Sequence, residues 1–111
     1  MPDVVYFVRD LLFTSKIREI CKQLGLSATG VPDPAGLATA ASSAKLVVLD
    51  LRLDRALDAL AALRSAGVAT PTVGFCDHER TELMDAARAQ GCREVLTKGQ
   101  LARELPRLLG A

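Results

Sequence analysis

The chain has 111 residues, half of them apolar and 24% charged, with a net charge of +1. Such a balance suits one globular domain and excludes a disordered chain; no run approaches the roughly 18 apolar residues that cross a bilayer as a helix. Lysines and arginines are interleaved with acids rather than gathered into a basic stripe, which argues against nucleic acid as a partner.

The N-terminal "MPDVVYFVRD" lacks a basic leader, an apolar run and a small-residue cleavage site, so a soluble, cytoplasmic protein is expected. Cys21, Cys76 and Cys92 are odd in number and widely spaced, with no C-x-x-C pair. That spacing suits neither a disulfide framework nor a zinc site, and they read as buried small hydrophobes.

"VVYFV", Val4 to Val8, is a continuous apolar run with β-branched and aromatic members, the composition of a strand covered on both faces. Phe13, Ile17, Ile20, Cys21 and Leu24 then recur at helical spacing, with charged residues off that stripe and Gly25 where a helix ends. "LSATGV" reads as a short strand, and Asp33 to Ser43 as an Ala-rich helix opened by Pro34. "KLVVLD" is the next strong strand. From Asp54 to Ala66 helical spacing returns through Leu57, Leu60, Ala61 and Leu63, and Gly67 closes it. "TPTVGFC", begun by Pro71, is a strand, Glu79 to Gln90 a helix ended by Gly91, and "REVLT" the last strand. Leu101, Leu105, Leu108 and Leu109 place a helix in the tail. Pro106 removes an amide donor there and crowds the preceding turn, so a kink or a late start is expected.

Strand and helix alternate five times. That order predicts an α/β, flavodoxin-like (βα)5 doubly wound parallel sheet in strand order 2-1-3-4-5, with residues 1–111 as one domain. Ligand chemistry in such sheets gathers beyond the carboxyl ends of the strands. Val8, Arg9 and Asp10 follow the first strand and Asp50 ends the third. Cys76, Asp77 and His78 follow the fourth, and Thr97 and Lys98 the fifth. On residue chemistry alone Asp50 is either a site carboxylate or a turn and cap residue. His78 reads as a solvated loop residue, and Thr97 as a strand threonine.

With Asp50 ending "LVVLD", Lys98 inside "LTKG" and the spacing between them, nearly the whole chain resembles the receiver domain of response regulators in two-component signalling. The resemblance implies that Asp50 stands where a phosphoryl group is accepted from a histidine kinase. It implies a pair of acids after the first strand that holds Mg2+ with that aspartate. A Thr or Ser after the fourth strand and the lysine, Lys98, then bind the phosphoryl oxygens. It also implies a contact surface for dimers and targets on the fourth helix, fifth strand and fifth helix, around Met84, Arg88, Val95 and Arg103. The chemistry explains these parts: a phosphoryl donor brings negative charge to an anionic carboxylate, and a hard dication and a lysine must offset it.

The remaining pattern departs from the family. The acidic pair falls on Val8 and Arg9, or one residue on, on Arg9 and Asp10. Cys76, a weak hydrogen-bond donor, holds the hydroxyl position, Val95 holds an aromatic one, and Gly99 follows Lys98 in place of proline. "LRLDRAL" after Asp50 lacks the usual Pro and Gly. A degenerate receiver is therefore expected, in which Arg9 substitutes for the metal, pairs with Asp50 and leaves Lys98 as a second cation. An arginine fork suits a carboxylate, and two cations would make it a poorer nucleophile.

Such a pseudo-receiver is not an enzyme and needs no cofactor. Its partner is another signalling protein, a separate output protein or a second copy, and neither nucleic acid nor membrane. Two alternatives stay open. One is a phosphorylatable single-domain response regulator with Asp50 as acceptor and Mg2+ held by Asp10 and Asp50. The other is an enzyme or small-ligand binder on the same fold, for which the sequence offers no glycine-rich phosphate loop and no Ser–His–Asp set.

Overall fold

The computed structural model describes residues 2–110. Strands β1 (Val4–Phe7), β2 (Ala28–Gly30), β3 (Leu46–Asp50), β4 (Thr72–Cys76) and β5 (Glu94–Thr97) alternate with helices α1 (Leu11–Gln23), α2 (Pro34–Ala41), α3 (Ala56–Ser65), α4 (Thr81–Ala89) and α5 (Lys98–Leu108). All strand pairs are parallel, and the sheet runs β2-β1-β3-β4-β5. This is the expected flavodoxin-like topology.

The apolar runs become strands because the sheet is covered on both sides, so alternate residues serve two separate cores. Val4, Tyr6, Leu46, Val48, Val73 and Phe75 pack with Ile17 and Cys21 of α1 and with Leu101 and Leu105 of α5. Val5, Phe7, Val47 and Leu49 pack on the other face, against Leu37 of α2, Leu60 of α3 and Ala87 of α4. Burial of each such Val, Leu or Phe contributes about 1.5–3 kcal/mol.

Boundaries differ from expectation where a backbone turn precedes the helix. Helix α3 begins at Ala56 rather than Asp54, because Asp50 first folds the chain into a turn: its carbonyl accepts from Leu53 N at 3.2 Å. Helix α4 begins at Thr81 rather than Glu79, after a turn in which Arg80 N donates to Asp77 O. No late start occurs at α5. Thr97 caps it in a reciprocal box, its Oγ1 accepting from Gln100 N while Thr97 N donates to Gln100 Oε1. Pro106 lies in the last turn of that helix, near its end. Gly25 and Gly67 terminate α1 and α3 with φ of 72° and 69°, a conformation in which a β-carbon is strained.

Candidate functional site

Asp50 closes β3 and is 2% exposed. A buried carboxylate needs hydrogen bonds and a counter-charge, and the next loop supplies both from one residue. Its Oδ1 accepts from Arg52 N at 3.0 Å and from Arg52 Nε at 2.8 Å, while Oδ2 accepts from Arg52 Nη2 at 2.8 Å. The carboxylate thus caps a turn and receives a two-pronged guanidinium, the strongest geometry available to such a pair. The guanidinium carbon also lies 5.8 Å from the Phe13 ring and 5.5 Å from the Phe75 ring, whose centroids are 5.0 Å apart. Two aromatic faces favour the cation there. The hydrogen bonds to Asp50 raise the guanidinium's pKa above the ordinary arginine value; burial opposes them, and the Asp50 and Asp10 charges add to them.

Asp10 completes the cluster. It is the N-cap of α1, with Oδ1 accepting from Leu12 N at 2.9 Å and Phe13 N at 3.3 Å. Its Oδ2 stands 3.4 Å from the same Nη2 that grips Asp50. Desolvation works against its ionisation, but the amides of Phe13 and Leu12 and the Arg52 guanidinium outweigh it and hold the carboxyl below its ordinary value.

Arg52, and not Arg9, is the cation on Asp50. Arg9 is exposed and its Nη2 donates to Pro32 O at 3.2 Å. The pleat explains the correction. Phe7 belongs to the core under α2 and α3, and Arg9, two residues on, continues toward that side. Val48 belongs to the core under α1 and α5, and Asp50 follows it, over Phe13 and Phe75. Arg9 and Asp50 therefore leave the sheet edge on opposite sides.

The other expected site residues are placed as follows. Lys98 is the first residue of α5, and its Nζ lies 3.6 Å from Asp77 Oδ1, so its charge partner is Asp77 rather than Asp50. Cys76 ends β4 fully buried, and burial chiefly pushes its thiol's pKa up. Cys21 and Cys92 are likewise buried and free, and burial pushes Cys92 up to about 11. The Thr97 hydroxyl is taken by its capping bond. His78 is exposed, with Nε2 3.6 Å from Glu79 Oε1. Of the expected contact surface, Arg88 (paired with Asp85 at 3.2 Å) and Arg103 are exposed, whereas Met84 and Val95 are half-buried against the core.

The residues present do not fit Mg2+. A hard dication needs several free oxygens, whereas both Asp50 oxygens and Asp10 Oδ2 face Arg52, and Asp10 Oδ1 holds α1. Among the described residues, no three His, Cys, Asp or Glu side chains group to hold a metal ion. Arg52 escaped the sequence reading. The available signal was D-x-R at a strand end, since an aspartate that accepts the amide two residues on brings that residue's side chain alongside.

Several solved structures share this architecture. A response regulator receiver domain protein from Clostridium thermocellum matches with a TM-score of 0.82 at 13% identity, over 98% of this chain and 91% of that one. The receiver domain of a Francisella response regulator gives a TM-score of 0.80 at 20% identity, over 98% and 93%. Full-length ShkA, in complex with AMPPNP, gives 0.73 at 27% identity over 97% of this chain, which spans only 23% of ShkA. No family model and no curated protein sequence matches the chain. The fold is that of CheY-like receiver domains. None of the described helices is long and apolar enough to cross a membrane.

Proposed function

We propose that the chain is a receiver-like signal-transduction module that acts by protein–protein contact without Mg2+-dependent phosphorylation. The observation that carries this reading is the paired grip of Arg52 on Asp50, with both heavy-atom distances 2.8 Å. An acceptor carboxylate must offer a lone pair to phosphorus while a dication offsets the incoming charge. Here a guanidinium engages both oxygens and supplies a single positive charge. It costs no metal, and it makes the cluster of Asp50, Arg52 and Asp10 a fixed part of the fold.

With the acceptor position closed, signalling falls to surface recognition by a partner protein, with the exposed Arg88 and Arg103 on the α4-β5-α5 face as the charged contact candidates. A second reading has its own support: Asp10 and Asp50 converge on one nitrogen, so a rotated Arg52 would uncover two carboxylates together. On that reading the protein is a phosphorylatable response regulator with Asp50 as acceptor. Incubation of the full chain with acetyl phosphate and Mg2+, followed by intact-mass measurement, separates the two. An unchanged mass supports the ion-paired module. A phosphoryl adduct that maps to Asp50 selects the alternative.

A further inference from the structure

The side of the sheet edge to which Arg9 is turned carries a feature unrelated to phosphoryl chemistry. A crevice of about 320 Å³ opens between the loops after β1, β2 and β3. In strand order β2-β1-β3-β4 the chain leaves β1 toward β2 but leaves β3 toward β4, and this β1/β3 switch point is where open α/β sheets bind ligands. Its floor is apolar: Phe7, 2% exposed, with Pro32, Pro34 and Leu53. Three arginines, Arg9, Arg52 and Arg55, also line it.

Charge decides what such a crevice takes. Arg52 is neutralised by Asp50 and Asp10. The Arg55 side chain has no hydrogen bond or ion pair among the described residues, and Arg9 spends one donor on Pro32 O. Two carboxylates also line the crevice. Asp33 uses Oδ1 to cap α2 through Gly36 N at 2.9 Å, and Asp54 is exposed. Guanidinium forks with unspent donors above an apolar floor match phosphate or carboxylate oxygens, and the free carboxylate edges match hydroxyl groups. The volume sits at the small end of the about 300–1,000 Å³ range of ligand pockets, which suits a metabolite rather than a peptide.

We infer that this crevice is a binding site for a small hydroxylated oxyanion, a phosphomonoester or a carboxylate, held by Arg9 and Arg55. Binding stands independently of the proposed function. Any signalling value rests on that reading, since Arg52 both lines the crevice and grips Asp50.

The test is an amide NMR titration of the full chain with glycerol phosphate and, separately, with glycerate, at ionic strength matched with sodium chloride. Saturable shifts at Arg9, Asp33, Gly36 and Arg55 are expected, with a dissociation constant on the order of 1 mM for one of the two probes. The Arg9→Gln, Arg55→Gln double variant should bind at least about tenfold more weakly. Should its spectrum show loss of fold, Arg55→Gln alone, a change at an exposed and unpartnered side chain, should weaken binding severalfold. Phosphate preferred over carboxylate, or the reverse, names the ligand class, and either supports the site. Shifts that never saturate, that survive the substitutions, or that centre on Asp77, Thr97 and Lys98 would overturn it. The covalent mass assay reads Asp50 directly, so either proposal can fail without the other.

Discussion

Replacing Arg52 with alanine removes the only guanidinium that touches Asp50 among the described residues, and leaves a carboxylate that is 2% exposed without its counter-charge. Orphaning one member of a buried ion pair costs about 3–5 kcal/mol. Two features moderate the loss. The residue 52 amide still donates to Oδ1, and the Arg52 side chain, 22% exposed, lies at a rim that water can enter once it is trimmed. We therefore expect Arg52→Ala to destabilise the fold by about 3 kcal/mol, a fall in Tm of about 12 °C for a domain of this size. The chain has no tryptophan, so urea unfolding is best followed by far-ultraviolet circular dichroism. An Asp50→Asn, Arg52→Ala cycle should return a coupling of about 2 kcal/mol, since an amide tolerates the missing cation. A loss below about 1 kcal/mol for Arg52→Ala would place the pair among weak surface ion pairs and refute the reasoning.

Three further outcomes follow from the same contacts. Asp10 has a lowered folded-state pKa, so its contribution to stability is complete above its unfolded value near about pH 4 and is lost as pH falls through the folded value. Tm measured from neutral to acid pH should therefore fall more steeply in the native chain than in Asp10→Asn, and parallel curves would contradict the assignment. A methyl group on Gly74 would stand 2.8 Å from Leu51 Cδ1 and 3.0 Å from Cys92 Sγ in a closed core, so Gly74→Ala should lose about 1–3 kcal/mol in urea. The three buried thiols should resist a disulfide-exchange reagent at neutral pH until the chain unfolds, most of all Cys92, held up to about 11; rapid labelling of the native chain would show that its core opens.

The sheet was legible because its strands are buried on both faces, and β-branched apolar runs separated by amphipathic stretches have few other uses. Helix starts were less legible, since they turn on which local group captures which amide: the turn after Asp50 delays α3, and the Thr97 side chain starts α5 without delay. At the site, the position of Asp50 was readable from "LVVLD", but its partner was not. Arg9 was favoured because it stands where an acid belongs along the chain, whereas strand alternation sends it toward Pro32. Arg52, two residues from its partner, looked like a surface charge in a loop. Its role emerges only when the turn amide, the carboxylate and the Phe13–Phe75 pair are seen together.

The idea that a guanidinium fills the place of a dication is tested most directly by adding Mg2+ and then beryllofluoride to the isotopically labelled chain and following its amide resonances. Unmoved signals at Asp10, Asp50, Arg52 and Lys98 through millimolar Mg2+ are the expected result. Saturable Mg2+ shifts at Asp10 and Asp50, joined by Lys98 when beryllofluoride is added, would mean that Arg52 yields its place to metal and phosphoryl group.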